Sequence, residues 1–208
     1  QWFLNKSGLG STNHFEVGGF IKSDSAKNAP DIQFHFLPAA MTYDGSVQIR
    51  EHGFQVHIGP MQSKSRGRVT LKTSNPFDNP RLDFGYMRDP EDWVVFRSAI
   101  RQAREIFSQR AFDEFQGGEI SPGDWVKSDR QLDEFIRARC ESAYHPCGTC
   151  KMGSDEEAVV DSRGLVHGLD GLRVADASIF PQIVNCNLNA TVIMLAEKIS
   201  DEIKKKHA

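Results

Sequence analysis

The sequence predicts an α+β fold: an antiparallel sheet flanked by helices, then a C-terminal strand–loop–helix segment. Three observations predict it. Apolar and polar residues alternate with period two in four short segments between residues 32 and 86. Two segments after them carry apolar stripes at helical spacing behind recognisable start signals, and the last third is loop-rich around 144–171 before one long amphipathic run. Period two buries one face of a strand and wets the other, as antiparallel sheets allow, whereas a 3.6-residue period marks helix.

In DIQFHFLP, Ile32, Phe34 and Phe36 fall on one face, and Gln33 and His35 on the other. GFQVHI alternates Phe54, Val56 and Ile58, and GRVTLKT sets Val69 and Leu71 against Arg68, Thr70 and Lys72. RLDFGY supplies Leu82, Phe84 and Tyr86. NPFDNP (75–80) holds Asn-Pro twice, so the last two strands are expected to form a hairpin with a longer loop. The next segment, DPEDWVVFRSAIRQAREIFSQ, predicts a helix with Asp89 as N-cap, Pro90 at its first position, and Glu91 and Asp92 in its first turn. Its expected apolar stripe is Trp93, Phe96, Ile100, Ala103 and Phe107. SDRQLDEFIRARC opens with Ser128 and Gln131 in capping-box spacing and offers Leu132, Phe135 and Ile136 for burial. GLRVADASIFP predicts a short strand, Leu172 to Ala175, ending at Asp176. A final helix is expected after Asn189 as N-cap, with a stripe through Val192, Ala196, Ile199 and Ile203. Lys204, Lys205 and Lys206 at its end complement the helix dipole.

With 208 residues, 39% hydrophobic and 25% charged, the chain has the composition of a globular protein. Its net charge of −3, with no basic stripe, argues against nucleic acid as a partner. No stretch approaches the ~18 apolar residues of a spanning helix. The N-terminal QWFLNKSGLG lacks a signal-peptide pattern, and the chain opens on Gln1, so a piece of a longer polypeptide is expected. Four cysteines without a secretory signal point to free thiols and a cytoplasmic location.

YHPCGTCKMG (144–153) carries the densest chemistry. Cys147 and Cys150, with His145 and Cys140 near, have the spacing of half a zinc site. No second ligand pair matches them, and Pro146 and Gly148 make the segment a loop rather than the start of a redox helix. Packing in a tight loop is the better reading, and no metal is expected. His145 sits before Pro146 in a loop, where an imidazole titrating near neutrality suits proton transfer from a hydroxyl. Asn189 at a helix start has a capping role available, beside free amides and a partial positive charge suited to an anion. Asp176 either caps a turn or meets a cofactor together with the Ala177 amide, and the residues themselves leave both readings open.

Taken together, HPCGTCKMG, GLRVADASIFP and NLNATVIMLAEK resemble the C-terminal signature blocks of the glucose-methanol-choline oxidoreductases. TNHFEVGGFI, PDIQFHFLP, EHGFQVHIGPMQSKSRGRVTLK and DEFIRAR look most like its choline-oxidising bacterial members. The resemblance implies an FAD-dependent enzyme that oxidises a primary alcohol, with choline going to betaine aldehyde in glycine betaine synthesis. It places the active-site histidine on His145 and the second catalytic position on Asn189. Flavin contacts fall on Asp176, Ala177, Asn189, Ala190 and Thr191. It puts Tyr144 in the substrate pocket, where an aromatic face can hold a trimethylammonium group that has no hydrogen to donate. Phe34 and Phe36 are added as a candidate second wall.

Residues 1–141 are then expected to be most of a substrate-binding domain, and 142–208 the closing segment of the FAD domain. The dinucleotide-binding G-x-G-x-x-G is absent, because GLGSTN (8–13) lacks the third glycine. The resemblance leaves the electron acceptor open between oxygen and the respiratory chain. Any membrane contact is expected to be peripheral, at the inner face of the cell membrane.

Overall fold

Antiparallel pairing organises the first of the two units into which the chain divides. That unit joins Gln1–Pro60 to Pro90–Cys140, and the second joins Met61–Asp89 to Glu141–Ala208. The computed structural model describes residues 2–41 and 52–207.

In the first unit a short turn of helix, α1 (Trp2–Asn5), leads to β1 (Val17–Ile21), β2 (Ile32–Leu37) and β3 (Gln55–Pro60), a sheet of order β1-β2-β3. β2 and β3 run antiparallel with Phe34 opposite Ile58, His35 opposite His57 and Phe36 opposite Val56. The predicted alternation therefore holds across both strands. β1 is a strand the pattern does not announce, because Gly18 and Gly19 interrupt its apolar alternation.

The apolar face meets α2 (Pro90–Phe107), and Ile32, Phe34, Val95, Ala99 and Ala103 form one buried cluster with Val56 and Ile58 against it. The stripe expected on α2 is rotated, since Val95, Ala99, Ile100 and Ala103 are the apolar residues buried. The cause is that α2 is covered on more than one side. Trp93 lies under Arg137 of α3 (Asp129–Arg139), 4.9 Å from guanidinium to ring, and Phe107 joins Phe36, Phe54 and Phe112 in an aromatic cluster. On α3 the Ser128–Gln131 capping box forms with both halves present. Leu132 and Ile136 are buried, with Phe135 half-buried.

The second unit begins with a ribbon of β4 (Arg68–Thr70) and β5 (Arg81–Asp83), antiparallel with Val69 opposite Leu82. The turn between them is tied by Asp78, whose two carboxylate oxygens accept from Thr73 and Asn75. The hairpin is as expected, but its buried face is not: Val69 is 51% and Leu82 56% exposed. Each strand is three residues long, and the other described residues of this unit leave both faces open. At Gly67 a Cβ would sit 2.1 Å from the Asp83 carbonyl, so the ribbon closes only around glycine.

The unit's core is Val160, Ile179, Phe180, Leu188, Leu195 and Ile199. No strand forms over 172–175, where a single bridge from Arg173 to Leu165 replaces it. The adjacent loop pairs over too short a length to build a ladder. α4 (Leu188–His207) starts two residues earlier than expected, and it buries Leu188, Leu195 and Ile199 rather than Ala196 and Ile203, which are exposed. Burial of Leu188 draws that residue into the helix and shifts the stripe. The backbone of Lys204, Lys205 and Lys206 closes the helix. Among the described residues no helix is long and apolar enough to cross a membrane.

Ser128→Ala removes the acceptor of the capping box and should cost α3 about 1 kcal/mol. Amide exchange in the first turn of α3 should quicken, while exchange in α2 stays as it was.

Candidate active site

The backbone around His145 is constrained on both sides. Pro146 excludes His145 from the helical region. Tyr144, directly before it, has φ +59°, a left-handed conformation that costs a residue with a Cβ about 1–2 kcal/mol. The Tyr144 amide donates to Ser142 Oγ at 2.9 Å, a Ser turn that satisfies the strained residue. The rings of Tyr144 and His145 are both exposed, Tyr144 at 81%.

Beyond the histidine the loop is fastened to the core. The Cys147 thiol donates to the His145 carbonyl at 3.5 Å, and burial pushes that thiol's pKa up, which keeps it protonated and a poor nucleophile. Gly148 has φ +87°, and a Cβ there would lie 3.3 Å from the Phe180 carbonyl. The Cys150 amide then donates to Ser178 O at 2.9 Å and the Met152 amide to Ile179 O at 2.8 Å. The loop is thereby laid along the single 3₁₀ turn Ala177–Ile179. Asp176 caps that turn, its Oδ1 accepting from the Ser178 amide at 2.8 Å. The turn-capping reading of Asp176 is thus realised, and its other carboxylate oxygen faces outward with no hydrogen bond among the described residues.

Asn189 is not the N-cap. It lies within the first turn of α4, after Leu188, and is exposed, as is Ala190. Thr191 is half-buried, with its Oγ1 3.4 Å from Cys186 Sγ. The first turn of this 20-residue helix carries no acidic residue, so nothing on it offsets the partial positive charge at its start.

One cluster gathers these elements. Cys147, Cys150 and Met152 from the histidine loop, Ala177 from the turn, and Leu188 and Val192 from α4 all pack on the same core. His145 is two residues from Cys147, and Asn189 is the neighbour of Leu188, so the backbone that carries each candidate adjoins this one packed cluster.

The other candidates fall elsewhere. All four cysteines are free, and among the described residues no three His, Cys, Asp or Glu side chains converge to hold a metal ion. Phe34 and Phe36 share a face, as expected, but both lie inside the first unit. Phe34 is buried under α2 and Phe36 packs on Phe54, Phe107 and Phe112, so packing accounts for both rings. Ser142 is not among the residues the sequence points to. Its signal is a serine two positions ahead of the residue whose amide it binds, in S-x-Y-H-P.

Residues 63–196 match the GMC oxidoreductase family. The chain is 55% identical, over all of its length, to the oxygen-dependent choline dehydrogenase of Escherichia coli O127:H6, and it spans 37% of that protein. The crystal structure of a formate oxidase aligns with 99% of the chain and 41% of its own at a TM-score of 0.87 and 25% identity. An FAD-dependent oxidoreductase from Chaetomium thermophilum aligns over 86% of the chain and 29% of its own, with a TM-score of 0.72 and 30% identity.

Gly148→Ala should strain the loop at its left-handed position and cost about 1–2 kcal/mol, read as a lower thermal midpoint. Timed alkylation at mildly alkaline pH should label exposed Cys186 well before Cys147, as followed by peptide mass spectrometry.

Proposed function

As this chain belongs to the GMC oxidoreductase family, we propose that it is the C-terminal part of an FAD-dependent dehydrogenase of primary alcohols that converts choline to betaine aldehyde. Because it spans 37% of the E. coli relative's length, that activity is proposed for the complete enzyme. In it, residues 1–141 contribute most of the substrate domain and 142–208 the closing segment of the FAD domain. The observation that carries this reading is the shared core that seats the His145 loop and the start of α4 together.

The residues present fit FAD. An exposed helix start with no acidic side chain in its first turn favours a group that gains negative charge on reduction. The outward oxygen of Asp176, together with Ala177, Asn189, Ala190 and Thr191, would hold it. Bound FAD would supply the oxidising chemistry by accepting hydride from the carbinol carbon.

This chain's own residues prepare the alcohol. A ring nitrogen of His145 accepts the hydroxyl proton, and the imidazolium then stabilises the alkoxide. The Asn189 carboxamide donates to the same oxygen and fixes its direction. Tyr144 offers its exposed face to the trimethylammonium group. Phe34 and Phe36 are the candidate second wall for that group, and both rings also pack within the first unit. Electrons leave to an acceptor outside this chain, with oxygen and a respiratory-chain carrier as the two candidates. The second would go with peripheral contact at the inner face of the membrane. Four free thiols accord with a cytoplasmic location.

His145→Ala in the complete enzyme should lower kcat by about 10² or more at full FAD loading. A near-normal rate would exclude His145 as the base. Choline should exceed an uncharged primary alcohol of the same shape in kcat/KM, and equal values would remove choline as the substrate.

A further inference from the structure

The orientation of His145 depends on a residue that takes no part in the proposed chemistry. His145 follows a residue held at φ +59° and precedes a proline, so two local constraints aim its backbone. Pro146 supplies one by covalent geometry. The other has a single hydrogen-bonding source among the described residues: the Tyr144 amide donating to Ser142 Oγ at 2.9 Å. Half-buried Ser142 lies at the start of the segment that joins the second unit after Cys140, while Tyr144 is largely exposed and has little packing to hold an unfavourable conformation. Beyond His145 the chain is already fastened through Cys147, Cys150 and Met152. Before it, the serine is the fastening.

We infer that Ser142 is a positioning residue for His145, acting through the left-handed turn at Tyr144. This rests on the reading of His145 as the base. If the tether is lost, Tyr144 relaxes toward negative φ, and a rotation there swings the imidazole away from the alcohol oxygen. A general base displaced by about 1 Å loses one to two orders of magnitude in rate, while the groups that bind FAD are retained. The signature is therefore a fall in kcat with flavin content held, and any variant that keeps an oxygen acceptor at 142 restores it.

The experiment compares Ser142→Ala, Ser142→Thr and His145→Ala in the complete FAD-loaded enzyme. Flavin content is read from the visible spectrum, and kinetics are measured with choline. Ser142→Ala should lower kcat about tenfold with flavin content unchanged, and Ser142→Thr should recover most of the rate. Wild-type kinetics in Ser142→Ala, a loss confined to KM or flavin content, or no recovery with threonine would each overturn the inference. Normal turnover in His145→Ala would instead overturn the base assignment. If Ser142→Ala does not fold, Tyr144→Gly decides, because glycine takes the left-handed turn without the steric cost that tyrosine meets there. In that background adding Ser142→Ala should leave kcat unchanged, and a further fall would refute the role.

Discussion

Two backbone hydrogen bonds, Cys150 N–H to Ser178 O and Met152 N–H to Ile179 O, hold the second unit's chemistry together. They join a loop and a 3₁₀ turn that lie far apart in the chain, and the joint is sealed by Ile179 and Phe180 beneath it. Each such bond contributes only about 1 kcal/mol net, but leaving its buried groups unpaired costs about 1–3 kcal/mol. The pairing is therefore enforced by burial more than by its own strength. Asp176 shapes the turn that presents those two carbonyls, so a residue outside the hydrophobic core governs how the core meets the histidine loop.

Charge is used differently in the two units. In the first, ion pairs such as Arg97–Asp133 link α2 to α3, and Arg104 reaches Glu119 and the carbonyls of Gly123 and Val126. Most of these groups are partly solvated, so they orient helices more than they stabilise them. In the second, ion pairs such as Lys151–Asp155 and Arg163–Asp161 join near neighbours in the chain, and the first turn of α4 carries no acidic residue. A carboxylate in that turn would stabilise the helix by a few tenths of a kcal/mol, yet it would oppose any anion bound there. Its absence, with Asn189 and Ala190 exposed beside it, is what a site for a reducible cofactor asks for.

Local signals were the legible ones. Ser128 and Gln131 make a capping box from four consecutive residues, and DIQFHFLP and GFQVHI pair in the register their alternation implies. Where partners come from elsewhere in the chain, the pattern misleads. VGGFI is a strand because β2 lies beside it, and RLDFGY has the alternation of a half-buried strand but stays wet. LRVA is apolar enough for a strand but finds only one bridge. The stripe of α4 slipped because the packing of Leu188, at the very start of the helix, decided which side faced inward. The histidine loop was legible as a loop from Pro146 and Gly148, and its anchoring was not, since amides of Cys150 and Met152 look the same in any sequence.

Among the described residues Lys6, His14, Met87 and Tyr144 hold positive φ without being glycine, and Tyr144 is the one beside the proposed base. Tyr144 and Gly148, three residues to either side of the His-Pro step or nearer, both hold positive φ. Glycine adopts this freely, and tyrosine does not. A smaller or more flexible residue at 144 would relieve the backbone, but it would remove the aromatic face proposed for a cation. The tyrosine is thus asked for two things that conflict, a ring in the pocket and a turn that suits glycine. The conflict is resolved by lending its amide a serine oxygen. On the proposed reading that arrangement orients the His145 base before any substrate arrives, with core packing on one side of it and a single hydroxyl on the other.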